Sequence, residues 1–96
     1  MRPSVVLETN RQAIREATAR HKATNPRVFG SVARGEDGPD SDLDIPVDGL
    51  PGVTLFDLGG LQAEMEDLLP CRVDIASSGG LKERMRERIL AEARAI

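Results

Sequence analysis

In the run DLDIPVD, Asp42 to Asp48, apolar and polar residues alternate without a break. Successive side chains of a strand leave opposite faces. Leu43, Ile45 and Val47 therefore go one way, and Asp42, Asp44, Pro46 and Asp48 the other. A helical period does not fit this pattern. The run is a half-buried strand with a carboxylate-bearing outer face, and the chain must build a core under one side while leaving the other open. CRVDIA, Cys71 to Ala76, repeats the pattern with Val73 and Ile75 inward and Arg72 and Asp74 outward.

The remaining segments supply that core. From Val6 to about Thr24 the period is helical, with Leu7, Ile14 and Ala17 on one stripe and Arg11, Arg15 and Glu16 between them. Asn25-Pro26 marks its end, because the residue before a proline is pushed out of the α region. RVFG, Arg27 to Gly30, reads as a short strand, and Ser31 to Gly35 as a helical turn. Glu36 to Ser41 is a loop on turn chemistry. Thr54 is placed to cap a helix over Leu55 to Leu69, with Leu58, Leu61, Met65 and Leu68 or Leu69 on its core face. Gly59-Gly60 weakens that helix by about 1 kcal/mol per glycine relative to alanine. SSGG is a loop, and Leu81 to Ile96 closes the chain as a helix striped by Leu81, Met85, Ile89 and Ala93. The order α-β-(short α)-β-α-β-α describes an α/β (α+β) protein, a small mixed β-sheet with helices packed on it. Residues 1–96 form a single domain, since 96 residues support no more than one.

Two Phe, no Trp and no Tyr leave little for stacking on single strands, and a net charge of −3 is the wrong sign for a nucleic-acid or anionic membrane surface. Direct nucleic-acid binding is therefore disfavoured. Cys71, the one cysteine, has no internal disulfide partner, and no Cys/His cluster points to zinc. The N-terminal run MRPSVVLETNRQ lacks the apolar stretch of a signal peptide, and no segment has the ~20 apolar residues of a membrane span. The expected location is cytoplasmic, with no membrane partner.

Asp42 and Asp44, at i and i+2 of one strand, share a side of the sheet. If the strand bearing Asp74 lies beside it, three carboxylates meet on one face. Like charges so placed are unfavourable without a compensating cation. Oxygen-only donors select hard ions, chiefly Mg²⁺ or Mn²⁺. Ahead of them, Gly30 ends a strand where a phosphate can approach the backbone closely. The helical turn after it offers free N–H groups and the Ser31 hydroxyl to an anion. Arg34, one turn later, either reaches the same anion or pairs with a nearby carboxylate. Taken singly, each feature also has a plainer reading as a solvated face or an ordinary turn. His21 reads as structural or solvated, and KERMRER, Lys82 to Arg88, as a solvated helix face with i,i+4 pairs.

GSVARGEDGPDSDLDI, Gly30 to Ile45, resembles the signature of the DNA polymerase beta nucleotidyltransferase superfamily: Gly-Ser, about ten residues, then Asp-x-Asp. With RVFGSVARGED, SDLDI, TLFDLGGLQAEMEDLL, CRVDIA and LKERMRERILAEA, the chain is similar from about Leu7 to Ile96 to the minimal nucleotidyltransferases, the small partners of HEPN-domain proteins. The resemblance implies a polymerase-beta-like nucleotidyltransferase fold in which Gly30 and Ser31 bind nucleotide phosphates and Asp42 and Asp44 bind Mg²⁺. It makes Asp74 the residue that completes the metal site and helps activate the acceptor hydroxyl. Pro46 and Pro70 depart from the family pattern. A proline at 46 removes a ladder hydrogen bond, so the strand should bulge, lie at an edge or end there, tilting Asp44. Pro70 stops the preceding helix.

Three functions follow from this reading. The first is transfer of NMP, AMP foremost, from ATP or another NTP to a hydroxyl of a partner protein. The resemblance makes that partner a HEPN toxin and this chain a type VII-like antitoxin, with oligomers compatible. The second is a binding antitoxin that neutralises the HEPN partner by complex formation, its chemistry weakened, which Pro46 favours. The third is an acidic-faced α/β domain with no nucleotide role, which the matched Gly-Ser disfavours.

Overall fold

The structure, a computed structural model, describes residues 2–80 and 83–96, with side chains outside 80–85. Helix α1 spans Pro3–Arg20 and is followed by two short strands, β1 (Ala23–Thr24) and β2 (Arg27–Val28). A one-turn helix α2 (Gly30–Arg34) leads through a loop to β3 (Leu43–Gly49). Helix α3 (Leu55–Leu68) crosses over to β4 (Val73–Ser77), and a 3-10 turn (Ser78–Gly80) precedes α4 (Glu83–Glu92) and β5 (Arg94–Ala95).

The central sheet has the order β1-β3-β4. β4 runs parallel to β3, in register from Leu43 opposite Val73 to Val47 opposite Ser77. β1 pairs antiparallel with β3 through Ala23–Gly49 and Thr24–Asp48. β2 and β5 form a second antiparallel ladder that pairs Arg27 with Ala95 and Val28 with Arg94. The inward side chains of β3 behave as alternation requires: Leu43, Ile45 and Val47 are all buried, against Val6, Ile14 and Ala17 of α1 and Leu61 and Met65 of α3. Thr54 caps α3 in a reciprocal box with Asp57, each side chain accepting from the other's backbone N–H.

Several boundaries differ from expectation. The first helix starts at Pro3, whose fixed φ suits a first turn. It ends at Arg20 rather than near Thr24, because Lys22 and Asn25 both take a φ of 56° and turn the chain back along β3. Between them Ala23–Thr24 is a strand, too short to show any alternation. The RVFG strand stops at Val28, and Gly30 already opens α2. Leu68 is exposed, and Leu69 takes the core position at the end of α3. The last segment is not helical to Ile96: α4 stops at Glu92, and Arg94–Ala95 leaves it as a strand. Ile96 is then buried, its N–H donating to Pro26 O and its main-chain oxygen accepting from Arg11 and Arg15. The expected stripe positions Leu81 and Met85 lie outside what is described.

Pro46 meets the expectation of an edge position, on the unpaired side of β3, but not those of solvent exposure or a bulge. It is buried rather than facing solvent, and β3 runs straight through it with no bulge. Leu43 N–H donates to Arg72 O of the neighbouring strand segment. Peptide groups alternate sides along a strand, so those of Leu43, Ile45 and Val47 face β4 and that of Pro46 faces away. On that far side β1 pairs only with Asp48 and Gly49. The missing donor therefore falls where the ladder has no bond to lose.

Candidate active site

The parallel register sets Asp44 directly opposite Asp74. Both carboxylates stand on the face of the sheet away from the core, with Asp42 at the entry to β3 on the same side. Asp44 is half-buried, while Asp42 and Asp74 are exposed. Burial, the neighbouring Asp74 and then Asp42 push the Asp44 carboxyl above the usual carboxylate range. Among the described residues this row has one ion pair, to Arg72, whose Nε lies 3.9 Å from Asp42 Oδ1, both side chains exposed. Among the described residues no three acidic, His or Cys side chains are gathered tightly around one point. The carboxylates share a face but stand apart, spaced by the strand and its register. An all-oxygen, thrice-anionic donor set fits a hard divalent cation.

The third carboxylate of the Asp42–Asp48 run, Asp48, has another task. It accepts from both terminal nitrogens of Arg27 at 3.1 and 3.0 Å, from Ser78 Oγ at 2.6 Å and from Asn25 Nδ2 at 3.1 Å. The Arg27 guanidinium first, then Ser78 and Asn25, hold its carboxyl well below the usual range. Arg27 itself is buried. This pair joins β2, β3 and the turn after β4, and so fixes Gly30 relative to Asp44. Alternation alone could not separate Asp48 from Asp44; an arginine three residues before the Gly-Ser turn is the one sequence hint.

The loop that delivers Asp42 is pinned by Asp37, which the sequence placed among ordinary turn residues. Asp37 is only 4% exposed. Its carboxylate accepts from Ser4 N–H at 2.9 Å and from Arg2 Nη2 at 3.2 Å, while its carbonyl accepts from Arg2 Nε at 2.8 Å. It thus caps the start of α1 from 33 residues away. Burial pushes the Asp37 carboxyl up, but Ser4 and the Arg2 guanidinium outweigh it and leave it below its ordinary value.

Gly30 begins α2 with a φ of 67°, a left-handed conformation that strains any side-chain-bearing residue. A Cβ there would meet nothing within 4 Å, so the space beside it is open. Ser31 follows, half-exposed, and its carbonyl accepts from Glu36 N–H at 2.8 Å. Arg34 pairs with Glu36 at 3.2 Å and lies 3.7 Å from Glu92 of α4. His21 ends α1 with Nε2 3.1 Å from Glu64 Oε1, a structural position.

Two cavities connect these parts. One of about 200 Å³ is lined by Asp44, Asp74, Pro46, Phe29 and Ile89. The other, of about 410 Å³, is lined by Gly30, Arg34, Arg88 and Glu92, and again by Phe29 and Ile89. The structure thus brings Asp44, Asp74, Gly30 and Arg34 around one shared wall. Asp42 faces a third space of about 260 Å³ with Asp74, Gln62, Glu66 and Arg72.

A family model described as nucleotidyltransferase domain matches residues 11–96. The protein adenylyltransferase MntA of Thermococcus cleftensis is 34% identical over 87 residues, which are 91% of this chain and 85% of that one. A solved minimal nucleotidyltransferase superposes with a TM-score of 0.88 at 47% identity, covering 97% of this chain and 95% of that one. A toxin–antitoxin crystallised with AMP-PNP shares the fold at 18% identity and a TM-score of 0.77, over 90% of this chain and 71% of that one. With a match over nearly its whole length and a strand pair that carries Asp-x-Asp beside a third aspartate, the chain belongs to the nucleotidyltransferase family and is one of its minimal members.

Proposed function

We propose that this nucleotidyltransferase moves AMP from ATP to a hydroxyl of a partner protein, a HEPN-domain toxin, and acts as its antitoxin. The observation that carries the reading is the register that sets Asp44 against Asp74, with Asp42 on the same face and Gly30 across the shared Phe29–Ile89 wall. The name of the Thermococcus relative supports protein adenylylation, and the toxin–antitoxin neighbour with AMP-PNP supports a toxin partner and a nucleotide ligand. Asp42, Asp44 and Asp74 are the residues that would hold a divalent cation, Mg²⁺ or Mn²⁺, which supplies charge neutralisation at the phosphates.

The chain's own groups account for the rest. The open space at Gly30 admits phosphate oxygens to the backbone, and the hydroxyl of the adjacent Ser31 would donate to them. The acceptor oxygen attacks the α-phosphorus, and the bond to the β-phosphate breaks to release pyrophosphate. Asp74, exposed on the rim, takes the acceptor's proton. Positioning supplies most of the acceleration. The uninterrupted β3 keeps Asp44 on that face despite Pro46, which supports a catalytic role over a purely binding one.

The test is label transfer from α-labelled ATP, with Mg²⁺ and the co-purified partner, beside an Asp42→Asn/Asp44→Asn double variant. Label on the partner with the native chain alone is the expected result. A tight complex with no label from either chain means neutralisation by binding.

A further inference from the structure

Within the reading of an ATP site, we propose that Arg88 of α4 is a triphosphate-binding residue and that Glu92, one turn on, is its electrostatic counterweight. The basic run that contains Arg88 has the composition of a solvated helix face. Arg88 is exposed, as that reading expects, and it also borders a cavity. α4 packs against α2, and the 410 Å³ cavity between them is lined by Arg88, Ile89 and Glu92 on one side and by Phe29, Gly30 and Arg34 on the other. Phe29 and Ile89 also line the cavity that holds Asp44 and Asp74. A ligand that lays its reacting phosphate at the aspartates and continues past this wall therefore enters a space with two guanidinium groups and an open glycine backbone. Guanidinium groups match phosphate oxygens in geometry and charge.

Glu92 opposes that ligand. Its carboxylate lies 3.7 Å from Arg34 and faces the same cavity. An incoming polyphosphate meets its charge and competes with it for Arg34. The two α4 residues therefore act in opposite directions: Arg88 attracts the phosphates, and Glu92 lowers their affinity. A role limited to packing α4 on α2 would move both variants the same way.

The test measures Kd for α,β-methylene-ATP with Mg²⁺ by calorimetry at constant ionic strength. The proteins are the native chain, Arg88→Gln, Arg88→Lys and Glu92→Gln, with thermal melts to establish folding. Arg88→Gln should weaken binding about tenfold, with Arg88→Lys recovering part of the loss and Glu92→Gln binding a few-fold tighter than the native chain. Binding of Arg88→Gln within twofold of native, or equal weakening by Arg88→Gln and Glu92→Gln, overturns the assignment and leaves the nucleotide site standing. No binding by the native chain, alone or with its partner, removes the ATP reading itself and this assignment with it.

Discussion

Asp44 and Asp74 face each other across a parallel strand pair, and only one of them is partly shielded from water. That asymmetry has a thermodynamic consequence. The shielded carboxylate titrates above its unfolded value because burial and two like charges disfavour ionisation. In the window between the unfolded and the raised folded pKa, the native state holds more protons, so its stability falls as pH rises. At neutral pH the full penalty is present. The site is built against its own stability.

Asp44→Asn should therefore raise the melting temperature in EDTA at pH 7 while lowering transfer by about 10²- to 10³-fold, the scale on which removal of a preorganised electrostatic group acts. The stability gap between variant and native chain should narrow as pH falls through the raised folded pKa and close below the unfolded one, where Asp44 is protonated in both states. Parallel melts at pH 7 and in the acid range check the sign. A variant less stable than native at neutral pH contradicts the repulsion.

Asp37 works in the other direction. Its folded pKa lies below the unfolded one, so its contribution is present above the unfolded pKa and is lost as pH falls through the folded value. Asp37→Ala removes the acceptor for Ser4 N–H and one partner of Arg2. The expected cost is about 2 kcal/mol for a charge-assisted, buried pair, a fall of about 10 °C in Tm for a chain this size. Urea unfolding at pH 7 and pH 3 should show the difference between variant and native shrinking at the lower pH. Transfer should suffer as well, through the loop that leads to Asp42.

The paired glycines of α3 separate helix propensity from packing. At Gly59 a Cβ meets nothing within 4 Å, so Gly59→Ala should add about 0.5–1 kcal/mol of stability. At Gly60 the same atom would sit 3.2 Å from Cε1 and Nδ1 of the His21 ring, which Glu64 holds from its other side. The gain in propensity is offset there by the shift the ring must make, and Gly60→Ala should end below Gly59→Ala. Equal stabilisation of both in thermal melts would show that α1 yields freely at this contact.

Most of the features that sequence could reach were the ones with a period, beside the Thr54 cap and the short β2 strand. Strand alternation over seven residues placed Leu43, Ile45 and Val47 in the core and the aspartates outside, and the helical stripe of Leu7, Ile14 and Ala17 is buried as expected. Two-residue strands have no period, so β1 and β5 were invisible; each exists through pairing with a distant segment. The same limit hid the division of labour along β3. Asp44 and Asp48 are equivalent in pattern, and only the approach of Arg27, Ser78 and Asn25 makes Asp48 structural. Asp37 was unreadable for a related reason, since the Ser4 N–H it caps lies 33 residues before it. The burial of Pro46 depends on which side of the strand is left unpaired, a property of the sheet.

Gly30 tests whether a conformational requirement and a chemical one coincide. Its φ of 67° costs a side-chain-bearing residue about 1 kcal/mol, and the open space around it adds no clash. Gly30→Ala should therefore fold, with a Tm lower by about 4–8 °C. Transfer and ATP-analogue binding should fall by more than that stability loss accounts for, because the methyl occupies the space through which phosphate oxygens reach the backbone. Measuring Kd well below the variant's Tm separates the two effects. A variant that loses the expected stability yet binds the analogue as the native chain does would show that glycine is kept here for its backbone alone, and that the phosphates lie elsewhere along the cavity.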